Sequence, residues 1–180
     1  MTSMIVANDI DGGIGNKGSL PWPKNEKDMN RLKAITTGTV LVMGRKTFES
    51  LPKKLSDRIH VVLTSSQDYE HEDADEIAVP RKDFDPSDFI SYLRDKYKKE
   101  VFIFGGKEIY DLFLDQVDTL FLTTMQDKYD CDTHINRDNI VENIPHCIFR
   151  EDDDDMVYEV YVRDLEVKIP AKVLTISKNS

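Results

Sequence analysis

Short apolar runs alternate along the chain with segments of helical periodicity. The apolar runs are residues 4–7, 40–43, 60–63, 101–104 and 120–122, and most are rich in Val, Ile and Phe. Such runs are typical of strands buried on both faces of a parallel sheet. The helical patterns between them are roughly residues 26–35, 46–50, 86–98 and 107–114. This alternation predicts an α/β fold, with a mostly parallel sheet flanked by helices.

The pattern changes after Asp118, where strand-like segments at residues 119–124 and 157–162 follow without a helical pattern between them. We expect these segments to form an antiparallel pair at the edge of the sheet. The acidic run at residues 151–155 predicts a solvated hairpin tip, because clustered like charges repel unless water screens them. Consecutive carboxylates in such a loop do not converge on one ion, so metal binding there is the weaker interpretation.

Composition narrows the class of protein. The chain has 180 residues, of which 39% are hydrophobic and 32% charged, proportions typical of one globular domain. Its net charge of −10 disfavours binding to nucleic acid or an anionic membrane through bulk charge. Cys131 and Cys147 predict neither a disulfide framework nor a metal site. We therefore expect a cytoplasmic protein that holds any anionic ligand with local cations and backbone amides.

One carboxylate lies on the apolar side of a predicted helix. At 100° per residue, Asp28 shares a stripe with Leu32 and Ile35. One interpretation is a capping box, with Asn25 as the N-cap and Asp28 three residues on. The other is a carboxylate at the rim of an apolar cleft, where its two oxygens accept two coplanar donors of a heterocycle and burial raises its pKa. The pattern leaves both open.

Two glycine-containing turns follow buried strands and open helices. The first glycine turn is residues 44–47, in which Arg45 and Lys46 supply positive charge, and the second is residues 104–107. Helix N-termini bind phosphate through free N–H groups, and glycine lets the backbone approach closely. Ordinary strand–turn–helix connections with basic surface residues are the alternative. The second turn is not the GxGxxG of a Rossmann fold.

Four segments in a fixed order carry a resemblance to a known family. They are "GGIGNKGSLPW" (12–22), "KDMNRLK" (27–33), "VLVMGRKTFESLP" (40–52) and "VFIFGGKEIY" (101–110). In order and content they resemble dihydrofolate reductases, from about residue 4 to about residue 163. The resemblance implies a single-domain dihydrofolate-reductase-like fold over residues 1–165, with an antiparallel C-terminal edge strand, followed by a C-terminal extension at 166–180. It also implies NADPH-dependent reduction of 7,8-dihydrofolate to tetrahydrofolate, which supplies folate cofactors for thymidylate and one-carbon metabolism.

The resemblance further implies roles for particular residues. Asp28 would hold the pterin, Trp22 would hold a water beside it, and Leu20 would press on the nicotinamide as the glycine-rich loop (residues 12–22) closes. The substrate-binding residues would be Ile5, Val6, Ala7, Asp28, Met29, Leu32, Lys33, Leu51, Leu55, Arg58, Phe104 and Thr123. The cofactor-binding residues would be Ala7, Ile14, Gly15, Asn16, Leu20, Gly44, Arg45, Lys46, Thr47, Leu63, Thr64, Ser65, Phe104, Gly105, Gly106, Lys107, Glu108, Ile109 and Tyr110. No metal is implied, and the single-domain members of the family are by default monomers.

The resemblance also implies four specific features of the folded chain. Thr123 would hydrogen-bond the pterin-holding carboxylate, and Arg58 would clamp the α-carboxylate of the folate tail. Asp132 would help to set whether the glycine-rich loop is open or closed. The Gly105–Gly106 peptide bond would be cis.

The chain departs from many relatives at two positions. Lys107 replaces a glycine, and Glu108 replaces a basic residue of many bacterial members, which opposes a 2′-phosphate unless Glu108 points away.

Two other functions stay open. The related reductase of riboflavin biosynthesis shares the fold, although Asp28 and Arg58 argue against it. A binding or structural protein that retains the fold without turnover is the third hypothesis.

Overall fold

The strands and helices follow the alternation in the sequence, in a computed structural model that describes residues 1–174 except the side chain of Lys172. The elements are β1 (Thr2–Asn8), β2 (Gly13–Gly15), α1 (Glu26–Thr36), β3 (Val40–Gly44), α2 (Arg45–Ser50), β4 (Ile59–Leu63), β5 (Glu76–Ala78), α3 (Pro86–Tyr97), β6 (Val101–Gly105), α4 (Lys107–Phe113), a 3₁₀ turn (Leu114–Gln116), β7 (Thr119–Met125), β8 (Thr133–His134), α5 (Arg137–Asn143), β9 (His146–Asp152), β10 (Met156–Val162) and α6 (Ala171–Leu174). The strands and helices predicted before Asp118 all form, with ends displaced by at most two residues.

Eight strands form one sheet in the order β5-β4-β3-β6-β1-β7-β10-β9. The pairs from β5 to β7 are all parallel, whereas β10 runs antiparallel to both β7 and β9. The prediction of a mostly parallel sheet with an antiparallel C-terminal edge is confirmed. Because parallel strands end at the same edge, the residues after β1, β3, β4 and β6 meet there, which is where open α/β sheets bind ligands.

The region after Asp118 differs from the sequence-based expectation. The helix α5 lies between the predicted strands, with the Asn136 side chain accepting a hydrogen bond from the Asn139 N–H at 3.0 Å. Only Ile140 of this seven-residue helix is buried, so it has no apolar stripe to detect. The outermost strand, β9, was also not predicted. Most of its residues are exposed, which leaves it without the apolar run of an interior strand.

Helices cover the two faces of the sheet over two core clusters. The first core cluster includes Leu93 of α3, Phe113 of α4 and Ile140 of α5. The second core cluster includes Ile35 of α1 and Phe48 of α2 on the opposite face. The part of the C-terminal extension that is described packs on the second cluster through Ile169, Val173 and Leu174, with Val173 9% exposed. Residues 175–180 of that extension lie outside the described residues.

The acidic run forms the tip of the β9–β10 hairpin, as predicted, with most of its carboxylates exposed, and the tip also pairs with α1. Lys27 is paired with Asp153 and lies 3.1 Å from the Glu151 carboxylate. The Arg31 guanidinium lies 3.6 Å from the same Glu151 oxygen. These cations offset the repulsion within the run, so the tip docks beside the first turns of α1.

The C-terminus of α3 provides a test of the backbone conformation. Lys98 ends this helix in the left-handed region, with φ 53° and ψ 40°. That conformation costs a non-glycine residue about 1–2 kcal/mol. We expect Lys98→Gly to raise the free energy of unfolding by about 0.5–1 kcal/mol in urea denaturation. Lys99→Gly, at a neighbouring position without positive φ, is the matched control and is expected to destabilise; equal effects of the two changes would contradict the assignment.

Candidate functional site

Asp28 lies in the first turn of α1 and contacts the central sheet. The Asn25 side chain caps the helix by accepting a hydrogen bond from the Asp28 N–H at 3.0 Å. The Asp28 carboxylate itself accepts a hydrogen bond from the Thr123 hydroxyl of β7 at 2.7 Å. The predicted N-cap is therefore confirmed, and the carboxylate is turned toward the sheet. The expected Thr123 contact is confirmed as well.

Partial burial makes Asp28 unusual for an aspartate. Desolvation raises its pKa above the ordinary 3.8, even though the Thr123 hydrogen bond and the Arg31 charge both act to lower it. Arg31 is itself buried, with its guanidinium carbon 3.7 Å from the centre of the Tyr158 ring. Sequence reasoning missed Arg31 and Tyr158, because arginine is usually exposed and the stacking joins distant segments.

Half-buried apolar residues from several elements lie on the face of the sheet that carries the second core cluster. Half-buried Ile5, Leu51, Leu55 and Phe104 pack against the second core cluster. Leu32 is half-buried too, whereas Met29 is 46% exposed.

The structure restricts what Val6 can contribute to a ligand site. Its side chain is buried in the first core cluster, on the other face of the sheet. Successive strand residues point to opposite faces, so only the backbone of Val6 can face the cleft, and its contact with a substrate stays a prediction.

Arg58 is buried and held in place near the end of α1. Its Nε donates to the Ser56 carbonyl at 2.9 Å, and its Nη1 donates to the Thr36 hydroxyl at 3.0 Å. Thr36 in turn donates to the Leu32 carbonyl at 2.7 Å. This network fixes a cation at the Leu32 end of the cleft. Lys33 of the same helix is exposed.

Trp22 and Leu20, at the end of the glycine-rich loop, lie in different environments. Trp22 is 7% exposed and packs with Met125 and Met156, next to half-buried Ala7. Leu20 is 62% exposed. The contact predicted for Leu20 with a nicotinamide stays a prediction.

The glycine-rich loop is joined to the loop at residues 126–132. The Asp132 N–H donates to the Gly15 carbonyl at 3.0 Å, and the Lys17 N–H donates to the Asp132 carboxylate at 2.7 Å. These bonds are consistent with the expected influence of Asp132 on the loop. Ile14 packs against the first core cluster, and the Asn16 N–H donates to the Ser19 carbonyl at 2.9 Å.

The two glycine turns lie side by side because β3 and β6 are parallel neighbours. A Cβ added at Gly106 would lie 3.3 Å from the Thr47 hydroxyl, and one added at Gly44 would lie 3.4 Å from the Ile109 side chain. The Gly105–Gly106 peptide bond is cis, which confirms the prediction.

The Tyr110 side chain packs between the ends of β1 and β6, beside the second glycine turn. Its buried hydroxyl lies 2.9 Å from the carbonyl oxygens of both Ile5 and Phe104. A Cβ at Gly105, whose φ is 119°, would approach that hydroxyl to 2.9 Å. Only glycine therefore fits at this position.

The cations of the turns differ in their surroundings. Half-buried Arg45 lies over the Tyr69 ring, 5.7 Å from its centre, whereas Lys46 is exposed. Lys107 pairs with Asp111 one turn along α4, and Glu108 is exposed. Tyr69 was missed by sequence reasoning, because it lies in a polar loop without a motif.

Hydroxyl groups follow β4 beside the first glycine turn. Thr64 is buried, and its hydroxyl accepts a hydrogen bond from the Ser66 N–H at 3.1 Å, which leaves its own hydrogen free to be donated. Ser65 is exposed, and Leu63 is buried in the first core cluster.

The described residues contain neither a cluster of metal ligands nor a helix that could span a membrane. Among residues 1–174, no group of three or more His, Cys, Asp or Glu side chains is placed to hold a metal ion. Within the same part of the chain, no helix combines the length and apolarity needed to cross a membrane.

Comparison with known proteins agrees with this geometry. The sequence model of the family described as "Dihydrofolate reductase" matches residues 1–163. Dihydrofolate reductase of Staphylococcus aureus (strain Mu50 / ATCC 700699) is 37% identical over 133 residues, covering 73% of this chain and 75% of that protein. Dihydrofolate reductase of Ureaplasma parvum serovar 3 (strain ATCC 700970) is 31% identical over 139 residues, covering 77% and 83%.

A solved structure extends the likeness to three dimensions. Dihydrofolate reductase from Enterococcus faecalis, complexed with NADP(H) and RAB-propyl, superposes with a TM-score of 0.76 at 27% sequence identity. The match covers 91% of this chain and 96% of that one. Since the family model, the relatives and the fold all agree, this chain belongs to the dihydrofolate reductase family.

Proposed function

We propose that this chain reduces 7,8-dihydrofolate to tetrahydrofolate with NADPH, in the cleft between α1 and the carboxyl ends of the central strands. The observation that carries the proposal is the half-buried Asp28 carboxylate, which the Thr123 hydroxyl holds against the central sheet. Membership of the dihydrofolate reductase family supports the reaction class.

Asp28 would anchor the pterin. A carboxylate presents two acceptors, which match the N3–H and 2-amino donors of the ring. The Thr123 hydroxyl occupies a lone pair of one oxygen and orients the group, so the pterin meets a carboxylate in a fixed position. Such positioning is a large part of what a hydride transfer needs from a protein.

The residues of the two glycine turns fit a dinucleotide. Side chains larger than glycine would crowd Thr47 and Tyr110, so the backbone is open to close approach by phosphate. Arg45 and Lys46 supply positive charge in an otherwise acidic chain, and Thr64 and Ser65 supply hydroxyl donors. When bound, NADPH supplies the hydride that reaches C6 of dihydrofolate.

Protonation of N5 would proceed through a water positioned by Trp22. The buried indole lies next to Ala7 at the end of β1, on the strand adjacent to that carrying Thr123. Closure of the glycine-rich loop would exclude bulk water from the cleft. The raised pKa of Asp28 keeps a proton-exchanging group beside the pterin.

The folate tail would lie along Leu32, Leu51 and Leu55. Arg58, fixed by Thr36 and Ser56, would pair with the α-carboxylate at the end of this slot. The planar guanidinium suits bidentate pairing better than a lysine would.

We further infer a monomer that works in the cytoplasm without nucleic acid or membrane. The net charge of −10 supports the lack of a nucleic-acid partner. The free thiols of Cys131 and Cys147 are typical of a reducing compartment.

Loss of NADPH absorbance on addition of dihydrofolate tests the proposal. We expect turnover by the wild type, and a fall of roughly a hundredfold in kcat/KM for Asp28→Asn at neutral pH, because charge-assisted hydrogen bonds are worth about 1.5–3 kcal/mol each. Glu26→Gln, which neutralises an exposed carboxylate in the same helical turn, is the control and should retain full activity. Absence of wild-type turnover would contradict the proposal, and full activity of Asp28→Asn would contradict the anchoring role.

The Asp28→Asn substitution should raise the stability of the fold although it lowers activity. The folded pKa of Asp28 lies above its unfolded value, so the stability gained from its protonation is present at acid pH and lost as the pH rises through the folded pKa. We therefore expect Asp28→Asn to be more stable than the wild type at pH 7, with the difference shrinking as the pH falls. Urea denaturation across this range measures it. A variant that is less stable at neutral pH would show that the carboxylate is not desolvated.

Arg45 is expected to select NADPH over NADH. Removing the guanidinium in Arg45→Ala should raise KM for NADPH by roughly 10- to 100-fold, the worth of one charged hydrogen bond, and leave KM for NADH nearly unchanged. Lys99→Ala removes an exposed cation before β6, at the opposite edge of the sheet, and serves as the control. Equal losses with both cofactors would assign the 2′-phosphate to other groups.

A further inference from the structure

Asp9 is a fully buried carboxylate that the proposed chemistry does not use. It follows β1 at the base of the glycine-rich loop, and its exposed fraction is 0%. One oxygen accepts hydrogen bonds from the Asp11 N–H at 2.9 Å and the Gly13 N–H at 2.8 Å. The other accepts a hydrogen bond from the Tyr129 N–H at 2.9 Å. Both oxygens are therefore satisfied by backbone donors.

These bonds keep Asp9 ionised. Burial acts to raise its pKa, but the backbone donors of Tyr129, Gly13 and Asp11 outweigh burial, and the pKa lies below the ordinary 3.8. A buried carboxylate with this many donors costs free energy when any one of them is lost, because the remaining charge stays desolvated. The arrangement is therefore rigid.

The Asp9 carboxylate joins the glycine-rich loop to the 126–132 loop where the two are in close contact. A Cβ added at Gly13 would lie 2.3 Å from the Cys131 sulfur and 3.0 Å from an Asp9 oxygen. The Cys131 thiol is 3.8 Å from the other Asp9 oxygen. No side chain fits between the loops here, so their separation is set by the carboxylate and the thiol.

Tyr129 connects this junction to the indole. Its backbone N–H is bound by Asp9, and its ring meets Trp22 edge-on, with centroids 5.9 Å apart and planes at 66°. Trp22 is otherwise packed by Met125 and Met156, whose flexible side chains do not define one orientation of a ring. The Tyr129 ring is thus the aromatic neighbour of Trp22, and it is carried on a backbone that Asp9 holds.

We propose that Asp9 is a positioning residue for the reduction, which holds the base of the glycine-rich loop and, through Tyr129, the Trp22 indole. Only the expected effect on the rate of hydride transfer rests on the proposed function. Asp132 binds the same loop from an exposed position, where water competes for its hydrogen bonds. Asp9 is shielded from that competition, so its hydrogen bonds hold the base of the loop more firmly than those of Asp132 hold its middle.

The Asp9→Asn variant tests the link. An amide keeps the shape but presents an NH₂ group to one of the donors that Asp9 now accepts, so either Tyr129 or the Gly13 turn must shift. We expect the single-turnover hydride-transfer rate to fall roughly ten- to hundredfold, as for other small misplacements, with KM for dihydrofolate little changed. Trp22 is the chain's only tryptophan, so its emission reports directly on this site, and its quenching by acrylamide should increase.

Glu159→Gln is the matched control for loss of a buried carboxylate. Glu159 is 3% exposed and contacts Arg137, Arg150 and Tyr161, each at 3.0 Å, with no contact to the glycine-rich loop among the described hydrogen bonds and ion pairs. We expect it to lose stability while keeping the wild-type hydride-transfer rate and Trp22 quenching. Equal changes in both variants would overturn the proposal, because they would reduce the role of Asp9 to stability.

A second pair of variants tests the same link without altering Asp9. Tyr129→Ala removes the ring and should reproduce both the rate loss and the increased Trp22 quenching, whereas Tyr129→Phe keeps the ring and should behave as the wild type. These two variants test the link between Tyr129 and Trp22 even if Asp9→Asn does not fold. Unchanged quenching in both Asp9→Asn and Tyr129→Ala would overturn the proposal. Quenching needs no turnover, so a wild type without reductase activity would refute the proposed function and still leave the placement of Trp22 by Asp9 measurable.

Discussion

The hydrogen bond from the Thr123 hydroxyl to the Asp28 carboxylate is the contact around which the candidate site is built. It joins the first turn of α1 to the central strand β7, across 95 residues of sequence. It turns the carboxylate toward the sheet, where desolvation raises the pKa. A charged group held this way destabilises the fold at neutral pH, and the family's reaction gives a reason for retaining it.

The parallel sheet brings the other parts of the site to this carboxylate. Because β3 and β6 are neighbours, the two glycine turns adjoin, and the Tyr110 hydroxyl reaches carbonyl groups of both β1 and β6. The glycine-rich loop then covers the same edge and is attached to the 126–132 loop at both a buried and an exposed aspartate. One edge of the sheet therefore brings together the glycine-rich loop and the residues proposed to bind substrate and cofactor.

Local patterns in the sequence predicted most of the fold, and the family resemblance supplied the candidate site residues and the Thr123 contact, whereas other long-range contacts were beyond both. The apolar runs identified the interior strands, but α5 has one buried residue and β9 is mostly exposed, so neither carries a periodic signal. For Asp28, helical periodicity left capping and ligand binding equally open. The register of β7 beside β1 brings Thr123 within reach of it, and only the folded chain shows that register. The stacking of Arg31 on Tyr158 was invisible for the same reason.

The most direct test of the role of Asp28 is a titration of its carboxyl carbon by ¹³C NMR, with Asp28→Asn used to assign the signal. We predict a midpoint above 3.8, the ordinary value for aspartate. Thr123→Val, which removes the hydroxyl donor but keeps the shape, should move the midpoint still higher. A wild-type midpoint at or below 3.8 would contradict a desolvated carboxylate and, with it, the proposed role of Asp28 as the anchor of the pterin.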